Sequence, residues 1–559
     1  MSSERNGGRL LADQLVEQGC GLCFCVPGES YLPLLDGLFE RSAQVRVVTC
    51  RHESAAANAA EAYGKLTGRP GVCLVTRGPG ATHAAVGVHT ARQDSTPLIL
   101  LVGQVARAHR GREAFQEIDC DAVFGSMAKA VFELDDPDRI PEILAAAFTL
   151  ATSGRQGPVV ISLPEDVLSA STSAVDAPRY AAREPLADPD EVERLRATLQ
   201  GAQRPLVLVG GGPWDERACA ELESWASAGE LPVAASFRRQ DVFDNESPCY
   251  VGDAGLGINP KLAERIRRAD LLIAVGPRLT EIETQGYTLP SPPTAPQPLI
   301  HVHPDPDEIG RVYQPAQGIV AGMRSFAAAL ARDGRVDGGH WREWTADARA
   351  EYEAWSRPAA PMASDPVDLR EVMSVLGTRL PEDTIFCNGA GNYTVWVHRF
   401  IRYRRWGTQL APQSGAMGYG IPAALAAQLL HPDRTVVAFA GDGCFQMAGQ
   451  ELATMVQERL PILVLVANNG MLGTIRMHQE RRFPGRVIAT DLVNPDFTAY
   501  ARAFGLHAER VERSDEFESA LVRARESGGP VLLELITDPE ALTPVATLSE
   551  TRSRALAAR

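Results

Sequence analysis

At 559 residues and 60.2 kDa, the chain is long enough for three or four hydrophobic cores, which excludes a single small module. Apolar residues at 45% and charged residues at 22% are ordinary globular usage and exclude a disordered, collagenous or coiled-coil chain. Lys and Arg total 55 against 70 Asp and Glu, a formal charge of −15, so no general attraction to nucleic acid or anionic membrane is expected and any bound phosphate must be held locally.

No run approaches the roughly 18 consecutive apolar residues of a membrane span. Residues 1–10 lack the apolar core of a secretory signal, and a cytoplasmic protein is expected. Ten scattered cysteines read as reduced thiols. The cluster Cys20, Cys23 and Cys25 lacks a second pair at zinc-ligand spacing, and the alternation over Gly21 to Val26 predicts a strand whose thiols pack inside.

Short apolar runs bounded by Gly, Pro or Asp recur at Val72 to Val75, Leu98 to Val102, Val159 to Leu163, Leu206 to Val209, Leu271 to Val275, Val436 to Phe439, Ile462 to Val466 and Val531 to Ile536. These predict buried parallel strands. Helical spacing fills the intervals, as in Glu53 to Leu66, Ile143 to Thr152, Glu191 to Leu199 and Gln450 to Glu458, so the class is α/β, built from βαβ units. Two polar, Pro-bearing intervals, Ser171 to Asp190 and Asp333 to Asp365, divide the chain into three expected doubly wound parallel-sheet domains at 1–170, 186–333 and 362–545. The tail Ser549 to Arg559 is expected to be mobile.

The first and third domains carry a weak internal repeat. A strand at Val72 leads to Gly78-Pro79-Gly80 and a strand opening at Pro97; a strand at Val436 leads to Gly441-Asp442-Gly443 and a strand opening at Pro461. First glycine to proline is 19 residues in one copy and 20 in the other, and small-residue helices, Ser54 to Ala62 and Ala423 to Leu429, precede each copy. One fold used twice explains this most economically. Glu53 and Met417 each stand 19 residues before the repeated strand, which predicts corresponding loops at the carboxyl ends of strands, where such sheets bind ligands.

The strongest chemical signal lies between Ala440 and Gly470. Gly441-Asp442-Gly443 ends one buried strand and Asn468-Asn469 ends the next, with 24 residues between the two motifs. A strand, a Gly turn and a helix start offer backbone N–H groups and a positive dipole end to phosphate oxygens. Asp442 offers a hard anionic oxygen, Asn469 an amide oxygen and Met471 a backbone carbonyl, a set that suits Mg²⁺ completed by phosphate and water. Either fragment alone reads as a turn; the joint spacing points to a metal-diphosphate site.

With this pairing the sequence resembles the thiamine diphosphate enzymes of the acetolactate synthase, 2-oxoacid decarboxylase and carboligase group, over about residues 8–543. In the first domain, Arg51-His52-Glu53, Thr67 to Gly71, Gly78 to Thr82 and Ala114-Phe115-Gln116-Glu117 look like the family's pyrimidine-binding domain. In the third, Gln413 to Pro422, reading QSGAMGYGIP, looks like the loop that holds the cofactor bent, in a diphosphate-binding domain. The middle domain, around Leu206 to Gly212 and Asp270 to Arg278, is similar to the central domain.

The resemblance implies thiamine diphosphate and Mg²⁺ between the first domain of one chain and the third of another, hence a homodimer or homotetramer. It implies that Glu53 hydrogen-bonds the pyrimidine ring, and that Met417 wedges beneath the cofactor while Gly415 reads the aminopyrimidine edge. Gly78 would lie on the pyrimidine side. Asn392, Tyr393, Gly441, Gly443, Cys444 and Leu472 would lie near the diphosphate. Phe115 and Gln116 resemble acceptor-side residues, which favours ligation: decarboxylation of a pyruvate-like 2-oxoacid, then joining of the remaining fragment to a second carbonyl. Ser30, Tyr31, His83 and His478 would serve the substrate side.

His83 replaces a common Asn, and His478 stands where biosynthetic acetohydroxyacid synthases carry a substrate-selecting tryptophan, which speaks against branched-chain biosynthesis. The stretch Leu279 to Ile282 lacks the acidic pair of flavin-binding relatives, which leaves FAD without support. The alternatives are a non-oxidative 2-oxoacid decarboxylase or aldehyde lyase, for which paired histidines near Arg112 to Gln116 are expected, and a non-catalytic nucleotide- or flavin-binding regulatory protein, which has no need of Glu53.

Overall fold

Strand alternating with helix along the chain produces three six-stranded parallel sheets in the computed structural model, which describes residues 5–332, 336–357 and 366–558. The first holds β1 (Leu22–Cys25), β2 (Arg46–Thr49), β3 (Gly71–Val75), β4 (Leu98–Gln104), β5 (Ala130–Glu133) and β6 (Pro158–Pro164) in the order β2-β1-β3-β4-β6-β5. The second holds β7 (Pro205–Val209), β8 (Val233–Ser236), β9 (Tyr250–Ala254), β10 (Leu271–Val275), β11 (Leu299–His303) and β12 (Gln317–Val320) in the doubly wound order β9-β8-β7-β10-β11-β12. The third holds β13 (Ile385–Asn388), β14 (Gln409–Leu410), β15 (Val436–Gly441), β16 (Leu463–Asn468), β17 (His507–Val511) and β18 (Val531–Ile536) in the order β14-β13-β15-β16-β18-β17.

The first and third sheets therefore share one strand order, as the sequence repeat predicts. Central strands such as β3, β4 and β6 are buried along their whole length, which is why they read as unbroken apolar runs. The ten cysteines are free thiols, and Cys20, Cys23 and Cys25 pack in the apolar core of the first sheet.

Eight helices matter below: α1 (Glu53–Thr67), α2 (Gly78–Asp94), α3 (Arg342–Ser356), α4 (Tyr393–Phe400), α5 (Gly420–Leu430), α6 (Asp442–Phe445), α7 (Gly473–Arg482) and α8 (Leu548–Ala557). By contact the chain forms two units. One comprises the chain through Arg183 with Pro412–Pro432 and Ala448–Leu460; the other comprises Glu184–Ala411, Asp433–Met447 and the chain from Pro461. The predicted small-residue helices, within α1 and α5, pack on each other in the first unit. Ala55 to Ala62 and Gly420 to Gln428 are buried throughout, because small side chains let two backbones come close.

Two expectations need correction. The interval Asp333 to Asp365 is not a plain linker. Residues 333–335 and 358–365 lie outside the described residues, but α3 fills most of the remainder, and its Thr345, Ala348, Tyr352 and Ser356 form one buried face. Tyr352 and Trp341 join the core of the second sheet. Only two of those four face residues are apolar, so the helical stripe did not stand out.

The tail is also ordered through residue 558. Thr547 and Glu550 form a capping box for α8, Leu548 is buried, and Arg552 Nε donates to Glu480 Oε2 at 2.8 Å. No helix among the described residues is long and apolar enough to cross a membrane.

Candidate functional site

In the first unit the site begins where β2 hands over to α1. His52 caps α1, its Nδ1 accepting from the Ser54 N–H at 3.2 Å, so Glu53 is the first helical residue. The approach is pinned by Glu451, whose fully buried Oε1 accepts the N–H groups of Arg51 (2.9 Å) and His52 (3.0 Å), while Thr454 Oγ1 donates to Oε2 at 2.6 Å. Burial raises the Glu451 carboxyl, and those hydrogen bonds pull it back.

The Glu53 side chain is 13% exposed, and its Oε2 lies 2.9 Å from His83 Nδ1 on α2. The His83 ring stacks on His52 with centroids 4.6 Å apart. Burial, then the His83 ring, holds the His52 imidazole below its ordinary range. A Cβ on Gly80 would lie 3.4 Å from Glu53 Oε1, an ordinary contact, and 3.1 Å from Thr76, a tight one, so this helix start packs closely on the strand end beside Glu53.

The loop 111–117 is tied to the same place. Gly78 N–H donates to the Gln116 carbonyl at 2.9 Å, and Arg77 reaches the Phe115 carbonyl at 3.3 Å and Glu165 at 2.7 Å. Gln116 takes φ +64°, and Phe115 is thrown outward, 71% exposed. Ser30 and Tyr31, by contrast, are buried: Ser30 Oγ pairs with Thr76 Oγ1 at 2.9 Å and Tyr31 O–H donates to the Val26 carbonyl at 2.6 Å. Their hydroxyls brace the loop after β1.

The loop carrying Gly415 and Met417 belongs to this unit too. Its Gln413 N–H donates to Asp94 at 2.8 Å, Ser414 pairs with Thr90 at 3.2 Å, and Tyr419 O–H donates to Glu61 at 2.5 Å. Gly415 (φ +69°) is exposed and Met417 half-buried, on a loop anchored to the helices that carry Glu53 and His83.

In the second unit, α4, α6 and α7 follow the carboxyl ends of the neighbouring strands β13, β15 and β16, and all three start without a side-chain cap. Other helices of the unit, such as Leu369–Arg379 and Phe497–Ala503, are capped by Asp368 and Asp496. Three uncapped starts side by side make a place suited to anionic oxygens.

Asp442 sits among them, 3% exposed. Its Oδ1 accepts from Gly443 N–H at 2.8 Å, and its Oδ2 from Gly470 N–H at 2.9 Å and Asn494 Nδ2 at 2.8 Å. Burial raises this carboxyl against the pull of the Asn494, Gly443, Gly470 and Met471 donors. A cation beside Asp442 would offset the cost of burying its charge. Asn469 Oδ1 accepts the Met471 N–H at 3.2 Å, and Leu472 N–H donates to the Thr490 carbonyl. The oxygens of Asp442, Asn469 and the Met471 carbonyl are a hard donor set that fits Mg²⁺.

Tyr393 and Cys444 support this turn. The buried Tyr393 O–H points to Cys444 Sγ at 3.4 Å and accepts from Gly389 N–H at 3.1 Å. A Cβ on Gly441 would meet the Tyr393 ring at 3.0 Å. Asn392 accepts from Thr474 Oγ1 at 2.8 Å, linking the starts of α4 and α7. His478 is exposed on α7; partial burial, then Arg481 and Arg482, lower its imidazole.

Sequence reasoning missed Glu451 and Asn494. Asn494 also joins Asn468 Oδ1 at 2.9 Å, and Asn468 in turn donates to Glu534 at 2.7 Å. Asn494 precedes Pro495 and reads as a turn, and no local pattern marks Glu451 as buried.

Residues 5–123 match "Thiamine pyrophosphate enzyme, N-terminal TPP binding domain", 192–330 the central domain of the same enzymes and 389–535 their C-terminal TPP binding domain. The chain is 33% identical to the acetolactate synthase large subunit of Corynebacterium glutamicum, covering 96% of this chain and 87% of that one. It is 32% identical to the acetolactate synthase isozyme 2 large subunit of Escherichia coli K12, over 95% and 96%. It is likewise 32% identical to a probable acetolactate synthase large subunit of Methanocaldococcus jannaschii, over 96% and 93%.

Proposed function

The chain belongs to the thiamine pyrophosphate enzyme family as an acetolactate synthase-like carboligase, and on that footing we propose that it decarboxylates a pyruvate-like 2-oxoacid and joins the remaining fragment to a second carbonyl. The observation that carries the metal and cofactor assignment is the Asp442 cluster among three uncapped helix starts. Asp442, Asn469 and the Met471 carbonyl would hold Mg²⁺, and the starts of α4, α6 and α7 would face the diphosphate. Thiamine diphosphate supplies, when bound, a nucleophilic carbon and an electron sink.

The chain's own residues supply position and protons. Glu53 would hold a proton at a carboxylate oxygen and serve as acid and base toward the bound pyrimidine. The Met417 loop, fastened by Gln413, Ser414 and Tyr419, would orient that ring. Phe115 and Gln116 are the acceptor-side residues, and the backbone tie from Gly78 fixes where they stand.

The same reading assigns 1–170 to pyrimidine binding, 186–333 to a central domain and 362–545 to diphosphate binding, in a cytoplasmic homodimer or homotetramer. The test is incubation of the protein with Mg²⁺, thiamine diphosphate, pyruvate and a panel of aldehydes and 2-oxoacids, followed by mass spectrometry. CO₂ with a ligated product, dependent on both cofactors, is expected. Free aldehyde without ligation replaces this reading with simple decarboxylation, and no CO₂ from any 2-oxoacid overturns it.

A further inference from the structure

We propose that His83 is a positioning residue for Glu53: its imidazole holds Oε2 of the carboxyl so that Oε1 faces the reacting base and Glu53 can carry its proton there. This rests on the role given to Glu53 above. Two observations carry it. His83 Nδ1 stands 2.9 Å from Glu53 Oε2, at hydrogen-bonding distance, and the His83 ring, though its side chain is 53% exposed, rests against His52 with centroids 4.6 Å apart and planes 29° from parallel. His52 is itself tied down as the cap of α1.

The groups around the imidazole make the pair a simple one. From α1 it meets His52 and Glu53. One turn away on α2 stand Pro79, Gly80, Val86 and Gly87, none of which is charged. Neutral His83 donating from Nδ1 orients the carboxyl while leaving it free to take up and release a proton. A protonated His83 would place a full positive charge against Oε2, stabilise the carboxylate and withhold the proton that Glu53 must carry. Turnover should therefore decline on the acid side in a way that depends on the imidazole. Only a proton moves, between Glu53 and the reacting base, and no oxidant or reductant enters.

The experiment uses the full chain. His83→Ala should lower kcat about tenfold or more, since a loosened carboxyl misses its geometry, while KM stays within about twofold. His83→Asn keeps an amide donor and should recover to within about threefold of wild type, but it should lose the acid decline in kcat that the imidazole imposes. A second readout needs no turnover: ¹⁵N-histidine spectra of the cofactor-free protein, with His83 assigned by its absence in His83→Asn. Protonation at Nδ1 is expected, with a resonance that moves in Glu53→Gln.

Wild-type kcat in His83→Ala, an unaltered acid limb in His83→Asn, or a His83 resonance indifferent to Glu53→Gln would each overturn the proposal. Should the wild type release no CO₂, the carboligase reading falls, while the nitrogen spectra still decide whether the pair exists.

Discussion

The turn after β3 and the turn after β15 occupy the same place in two sheets of identical strand order, yet they are built for different work. After β3, Gly78-Pro79-Gly80 opens a helix of 17 residues, the first N–H is taken by the Gln116 carbonyl, and Pro79 removes another donor. After β15, Gly441-Asp442-Gly443 opens a helix of four residues, and an acid stands where the other copy has proline. That acid gathers N–H donors from Gly443, Gly470 and Asn494. Shared topology thus places both turns at strand ends, while the residues at each helix start decide which protein group takes the backbone N–H donors, a carbonyl of a distant loop in one copy and a buried carboxylate in the other. In the first copy the proposed chemistry rests on side chains instead, Glu53 with His83.

The comparison breaks most visibly at Glu53. If the first copy supplies protons, Glu53→Gln should lower kcat by about 10²-fold or more, with calorimetric affinity for the cofactor changed by less than about threefold. A variant that turns over at the wild-type rate would move proton transfer elsewhere. Asp442→Ala should do the reverse, weakening Mg²⁺-dependent cofactor affinity by at least about tenfold. Equally tight binding with and without metal, measured by calorimetry, would remove Asp442 from the metal site. Asn494→Ala sharpens the contrast. It removes a donor to Asp442 without touching the expected ligands, and about a tenfold loss in metal affinity is expected, as for other partners that orient a ligand.

The sequence made the α/β class, the repeat and the strand-end motifs legible because each is written in local pattern: apolar runs four to six residues long, glycine at turns, and fixed spacing between motifs. What it hid is non-local. Glu451 lies about 400 residues from the backbone it caps, and Asn494 reaches Asp442 across 52 residues. Ser30 and Tyr31 looked available at a strand end, but their hydroxyls are engaged within the fold. The pairing of His83 with Glu53 likewise appears only when α2 is laid against α1. The helix α3 was missed because its buried face includes Thr345 and Ser356, which no hydropathy pattern marks.

The smallest expected effect concerns α8, where the tail proved ordered. Glu480 is buried on α7, and its carboxyl is held below the ordinary range, first by the Arg552 hydrogen bond. A carboxyl depressed in the folded state contributes stability above its unfolded value, about 4.3, and that contribution is lost as pH falls through the lower folded value. Protection factors of the α8 amides, which correct for the intrinsic pH dependence of exchange, should therefore be high near neutrality and fall on acidification before those of the central strands. Arg552→Leu should abolish the pH-dependent part, giving faster exchange already at neutral pH. The change should be about fivefold, modest because the Arg552 side chain is 41% exposed. Unchanged protection in Arg552→Leu would mean that the capping box and Leu548 hold the helix alone. Because α8 packs on α7, which carries His478, the same variant also asks whether the tail braces the helix beside the turn proposed to hold the diphosphate.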